Sequence, residues 1–327
     1  MRSESINGVL IDYPDAVSFC FGTMPVNVKG YGGTRVAMTL KNNNTYQSVS
    51  ESRNLFQGKC FFDLSYYARK LFLTHAFGDI NYYDRDNLLT MVEFSLTLEL
   101  FNGETSEGTL TFDTSVVWGA LGKGEVFDAQ TEFKWYRNLP FTFSVYYPYE
   151  NQKSINILAD GENVLNWATN KRSIWSFPVS DVGNASKVQF VVDGKTITYN
   201  ADDCTDGVYL RWLDRQGFIR YWLFKRGSLS HDVKDSMDIK RSNMGEEMSR
   251  RIFKSSGATL KVCAPLVNHV TYDMLVQISM SPMVDMYIGN NEWMGVNVKS
   301  ETYTKENVTL QDFEATVILP DTKVQSL

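Results

Sequence analysis

The chain has 327 residues, 43% of them hydrophobic and 13% aromatic, with 32 Lys plus Arg against 38 Asp plus Glu for a formal charge of −6. That length suits one large domain or two, and the acidic balance argues against nucleic acid as a general partner. No run of 18 apolar residues occurs, so no membrane span is expected.

The first 46 residues read as strands punctuated by glycine. Val26–Lys29 alternates, Gly30-Tyr31-Gly32-Gly33 is a turn or flexible tip, and residues 35–40 alternate again before the polar turn Lys41-Asn42-Asn43-Asn44. A helix follows over 63–72. Asp63 can cap it, and Leu64, Tyr67, Ala68, Leu71 and Phe72 fall at helical spacing on one face. Residues 88–101 predict a long strand, apolar at Val92, Phe94, Leu96, Leu98 and Leu100 and polar between. Asn102-Gly103 then turns the chain into a partner strand.

From about residue 150 the texture shifts to short strands around tight turns, as in small sandwiches. Asp160-Gly161 and Asp193-Gly194 are hairpin turns by composition. The stretch 208–224 is the most apolar. Two aromatic-rich runs flank Asp214-Arg215-Gln216-Gly217, and both parities of each run are apolar. Leu210, Trp212, Ile219, Tyr221 and Leu223 are assigned to one layer; Tyr209, Leu213, Phe218, Trp222 and Phe224 to the other. A strand apolar on both faces must be covered on both, by its own chain or by a neighbouring subunit.

Residues 225–254 carry eight Lys plus Arg against five Asp plus Glu, which suits a surface arm or a solvated loop. Within it, 246–253 has the spacing of a short helix. A second helix is expected over 271–279 with Thr271 as its cap, then strands at 284–288, 294–298 and 316–319, the last ended by Pro320. The expected fold is mainly β: sandwich or barrel modules with two short amphipathic helices. The expected domains are an N-terminal ring-forming module over 1–150, a small sandwich over 151–227, and a charged arm with a C-terminal β module over 228–327.

Chemistry-bearing patterns are sparse. Cys20, Cys60, Cys204 and Cys263 are far apart and show no metal-ligand spacing, so free thiols are expected and no metal site. His75, His231 and His269 are isolated from one another; adjacent His231 and Asp232 would point to opposite faces of a strand. Gly119, Gly122 and Gly124 lack the spacing of a phosphate loop. The acid groups Asp79, Asp84, Asp86 and Asp202, Asp203, Asp206 lack an EF-hand pattern. The first residues have no apolar core, which suits synthesis in a cytoplasm. No catalytic residue, cofactor or metal is assigned.

Four groups of residues carry a resemblance. They are Cys60-Phe61-Phe62-Asp63-Leu64-Ser65 running into Arg69-Lys70-Leu71-Phe72; Val117-Trp118-Gly119-Ala120-Leu121 with Trp135 and 138–142; Tyr209-Leu210-Arg211-Trp212-Leu213 with Gly217 and 221–224; and Ser281-Pro282 with Trp293, 310–314 and Leu319-Pro320. Together they resemble tail-structural proteins of tailed bacteriophages and prophages of Bacteroides-type hosts, on a plan similar to distal tail and baseplate-hub proteins. The resemblance implies a virion tail protein, made in the host cytoplasm and without enzyme activity. It would form a cyclic homo-oligomer, a hexamer or trimer, and contact tail tube, tape measure and tail-tip or receptor-binding proteins. Candidate interface residues are Tyr31, Arg211, Trp212, Arg220, Trp222, Arg250 and Arg251. The alternative is a carbohydrate-binding β-sandwich adhesion protein, with a module within 150–224 and Trp135, Tyr136, Tyr146, Tyr147 and Trp167 as candidate stacking surfaces; burial of Trp167 and Trp175 would count against it.

Overall fold

The computed structural model describes residues 1–72, 90–122, 124–243 and 246–322, and the side chains of these except 181, 234–255 and 322. His75 and the acid group Asp79, Asp84 and Asp86 lie outside the described residues. The fold is mainly β, with several sheets, one closed six-stranded barrel and two short helices. Contacts divide it into two units that interleave in sequence: 1–133, 142–200 and 215–218 in the first; 134–141, 201–214 and 219–327 in the second.

In the first unit, β1 (Arg2–Ile6), β2 (Val9–Tyr13), β4 (Pro25–Lys29) and β7 (Lys59–Asp63) make one sheet. A second sheet has the order β3 (Val17–Phe19), β9 (Thr105–Val117), β8 (Met91–Asn102), β5 (Arg35–Asn42), β6 (Ser48–Asn54), with β3 parallel to β9. The alternation of β8 explains its place at the centre: Phe94, Leu96, Leu98 and Leu100 are buried while Glu93, Ser95, Thr97 and Glu99 are half-buried. Helix α1 (Ser65–Phe72) packs there through Phe72, whose ring lies 5.5 Å from Phe94 and 5.3 Å from Trp118. The Asp63 carboxylate accepts from the Ser65 N–H at 3.0 Å, at the helix start where such an acceptor is needed.

The same unit holds a sandwich. One sheet has the order β10 (Glu132–Tyr136), β16 (Lys195–Asp202), β15 (Lys187–Val192), β12 (Lys153–Ala159), β13 (Glu162–Thr169); β10 and β16 each cross from one unit to the other along the chain. The facing pair is β11 (Thr142–Tyr147) with β14 (Ser173–Pro178). Phe143, Phe177, Phe190 and Tyr199 fill the space between, with centroids 4.9–5.8 Å apart for the pairs that touch. Both two-residue turns read from sequence are present, with φ of 50° and 90° at Asp160 and Gly161 and 48° and 84° at Asp193 and Gly194. Positive φ at both positions matches the twist of the flanking strands.

The second unit is built on the barrel, in the order β17 (Val208–Leu213), β18 (Ile219–Asn243), β19 (Glu246–Val267), β22 (Gln311–Thr322), β21 (Glu292–Val298), β20 (Val284–Gly289). Helix α2 (His269–Val276) connects β19 to β20 through a 3-10 turn at Gln277–Met280.

Four sequence expectations are corrected here. Residues 246–253 belong to β19 and not to a helix, because pairing with β18 supplies backbone partners that local spacing does not reveal. The cap of α2 is Asn268, whose side chain accepts from the Thr271 N–H at 2.9 Å, and the helix proper ends at Val276. Pro320 lies inside β22, at the register shift between Ala258↔Leu319 and Ser256↔Thr322, where a strand tolerates the missing N–H. The hairpin layers are also different. The register pairs Leu213 with Ile219, so the loop is five residues, 214–218. One face carries Leu210, Trp212, Arg220, Trp222 and Phe224, and the other Tyr209, Arg211, Leu213, Ile219, Tyr221 and Leu223. A one-residue change in loop length exchanges the faces of a whole strand.

Candidate functional site

The hairpin 208–224 presents two arginines within apolar runs, and a buried guanidinium needs a partner. Arg211 is directly opposite Asp285 on β20, and its Nε and Nη2 both donate to Asp285 Oδ2 at 2.9 Å. Its guanidinium also lies 4.1 Å from the Trp293 ring centroid, a cation–π contact. Arg220 Nε donates to Asp214 Oδ2 at 2.7 Å, with both side chains buried. Asp214 reads as a turn residue in sequence and serves as a counter-ion. Asp285 was missed, although a single acid between Val284 and Met286 in an apolar strand is a usable sign of a buried partner.

Every residue of β17 is buried, and so are Ile219, Arg220, Tyr221, Trp222 and Phe224 of β18. Tyr209 and Tyr221 stack with centroids 5.9 Å apart, and Trp293 lies 5.6 Å from Tyr209. The Tyr209 hydroxyl donates to the Pro140 carbonyl at 3.1 Å, and Lys134 sits 5.6 Å from the Trp222 ring. Trp212 is wholly buried. The chain thus covers both faces of its own hairpin. The tip belongs to the first unit. There Phe218 packs with Met91, Val117 and Ile174, and the Arg215 carbonyl accepts from the Ala120 N–H at 2.7 Å.

Beyond the barrel the same two strands run on as a ribbon. β22 pairs with β19 as far as Ser256, whereas β18 and β19 stay paired through Asp235↔Lys254 to Asn243↔Glu246. Among the described residues, 235–243 and 246–254 pair only with each other. The ribbon extends about 30 Å at ~3.4 Å per residue. Arg250 is opposite Ile239 and Arg251 opposite Asp238 in register; their side chains lie outside the description. Of the remaining interface candidates, Tyr31 is 87% exposed, at the glycine tip beside Gly58.

The other candidate groups are engaged within the chain. Asp203 receives a two-pronged bond from Arg137, Nε and Nη2 each at 2.8 Å, and Asp202 pairs with Lys134 at 3.4 Å. The backbone N–H of Gly122 donates to the Glu125 carboxylate, which also pairs with Arg215, so this glycine loop holds the chain's own anion. His269 Nε2 contacts the Val308 carbonyl. Among the described residues no group of three or more His, Cys, Asp or Glu could hold a metal ion. Burial pushes the Cys20 thiol up to about 12 and the Cys60 thiol to about 11, which makes both poor nucleophiles. Trp175 is buried and Trp167 half-buried, with their ring centroids 5.9 Å apart. No described helix is long and apolar enough to cross a membrane.

No family model and no curated protein matches the chain. Among solved structures, the periplasmic chaperone SfaE aligns at 9% identity over 60% of this chain and 100% of its own, with a TM-score of 0.23. A structure described as giving insight into host cell surface retention of a 1.5-MDa bacterial ice-binding adhesin aligns at 12% identity over 79% of this chain and 93% of its own, with a TM-score of 0.17. At TM-scores this low neither likeness bears on fold or function.

Proposed function

We propose that the chain is a non-enzymatic structural subunit of a bacteriophage tail, a distal-tail or baseplate-hub component that closes into a ring of its own copies and links tail tube to tail-tip proteins. The observation that carries this reading is the ribbon of 235–254 continuing past the closed barrel. An isolated two-stranded ribbon is marginal in water, and its outer backbone edges invite pairing. A neighbouring copy that receives the ribbon supplies the missing partner. Head-to-tail contacts of this kind end in a ring when the rotation closes. The barrel supports the role as a scaffold: its hairpin is covered on both faces and pinned by the buried Arg220–Asp214 pair and by Arg211 on the half-buried Asp285.

The test is negative-stain electron microscopy with mass photometry on the full chain. Rings of three or six copies are expected. Replacing 236–253 by Asn-Gly would close Asp235 onto Lys254 with a two-residue turn, and should yield monomers with an unchanged circular dichroism spectrum. A parent chain that stays monomeric at high concentration overturns the ring. Rings that survive the replacement overturn the role of the ribbon.

A further inference from the structure

A cleft of about 470 Å³ opens within the first unit. Its cations are Arg2, Lys171 and Arg172, and its carboxylates Glu93, Asp113 and Glu150. Asn170 completes the lining.

We propose that this cleft binds a neutral saccharide. Sugar hydroxyls each donate and accept, so they are recognised where charged donors and charged acceptors line one space together. Three cations against three carboxylates give the cleft no net charge, which disfavours a simple anion or cation. The walls are mostly polar, which disfavours an apolar ligand. The volume lies within the range of small-molecule sites.

The donors are also held in place before any ligand arrives. Arg172 Nε donates to the Pro148 carbonyl at 2.9 Å and Nη1 to the Ala16 carbonyl at 3.2 Å, while Nη1 pairs with Glu150 at 2.9 Å. Arg2 Nε donates to the Pro14 carbonyl at 3.1 Å and Nη2 to the Asp113 carbonyl at 3.0 Å. A guanidinium has five N–H groups, so both retain donors for a ligand. The loop that carries Asn170 and Lys171 is pinned as well. The Tyr147 hydroxyl donates to the Thr169 carbonyl at 2.9 Å, and the Trp175 indole to the Lys171 carbonyl at 3.3 Å. Ordering paid during folding is not charged again at binding, which favours affinity. Asn170 and Lys171 are exposed, with side chains that bond to nothing else among the described residues.

The experiment is saturation-transfer difference NMR on the full chain with methyl glycosides of glucose, galactose, mannose, rhamnose and N-acetylglucosamine. At least one should give a saturable signal. Asn170→Ala and Lys171→Ala should each weaken it, the lysine by about tenfold, as for one lost charge-assisted hydrogen bond, with melting temperatures unchanged. No signal from any glycoside, or unchanged binding in both variants, overturns the proposal. Inorganic sulfate binding at these residues in place of every glycoside also overturns it. Particle counting reads the ring independently, so either idea can fail alone.

Discussion

The near and far halves of β18 and β19 are one continuous pair of strands in two different physical situations. Near the hairpin 208–224, β18 lies in a closed barrel, with Phe224 6.2 Å from Phe313 on β22 and Tyr221 4.5 Å from Phe141. From Asp235 onward the two strands have only each other among the described residues. The near half carries the aromatics Tyr221, Trp222 and Phe224; the far half has Phe253 alone and carries both signs of charge, five Lys plus Arg against four Asp plus Glu over 235–243 and 246–254. The difference teaches that strand pairing alone does not decide stability here. Burial does so at one end, and at the other we assign that part to a second copy.

The largest effect should come from emptying the near half. Trp212→Ala should cost ~3–5 kcal/mol in denaturant unfolding, the range for a buried aromatic. Stability within experimental error of the parent would show that the barrel does not depend on its hairpin. Asp214→Ala leaves Arg220 buried without its carboxylate and should cost a similar ~3–5 kcal/mol. Restored stability in Asp214→Ala/Arg220→Met would identify the unpaired charge as the cause. Gly217 has a φ of +83°, and an added Cβ would lie 2.7 Å from Val117 Cγ1. Gly217→Ala should therefore cost about 1–3 kcal/mol through strain and overpacking at the tip. The far half should behave in the opposite way: replacing 236–253 should move monomer stability by no more than about 0.5 kcal/mol while removing assembly. A large loss of stability there would mean that the ribbon belongs to the core of its own chain.

Thiol labelling gives the smallest readout. Burial raises the Cys20, Cys60 and Cys263 thiols, which favours the less reactive protonated form in each, and rising pH releases thiolate. Cys204 is exposed. Timed labelling at pH 8 with mass spectrometry should modify Cys204 first and Cys20 last. Early labelling of Cys20 would report opening of the first unit.

Residues in sequence determined much of the local structure. Asp160-Gly161 and Asp193-Gly194 are turns because few residue pairs accept positive φ so cheaply, whereas the turn expected at Asn102-Gly103 falls one residue later, at Gly103-Glu104, with Asn102 paired to Thr105. The alternation of 92–100 placed β8 with one face in the core, and the helical spacing from Leu64 to Phe72 marked α1. The aromatic content, with tight turns, carried the mainly-β reading. Tertiary structure decided what depends on distant partners. The 246–253 segment is a strand because β18 lies beside it, although its own spacing suits a helix. Arg211 is satisfied by Asp285, 74 residues away, and the hairpin's faces follow from a loop of five residues where composition suggested four. The cleft of Arg2, Glu93 and Arg172 gathers residues up to 170 positions apart, and no local pattern records it. Short-range preferences act through neighbouring backbone and are visible in a window of sequence. Register, ion pairing and cavities arise from closure of the chain on itself.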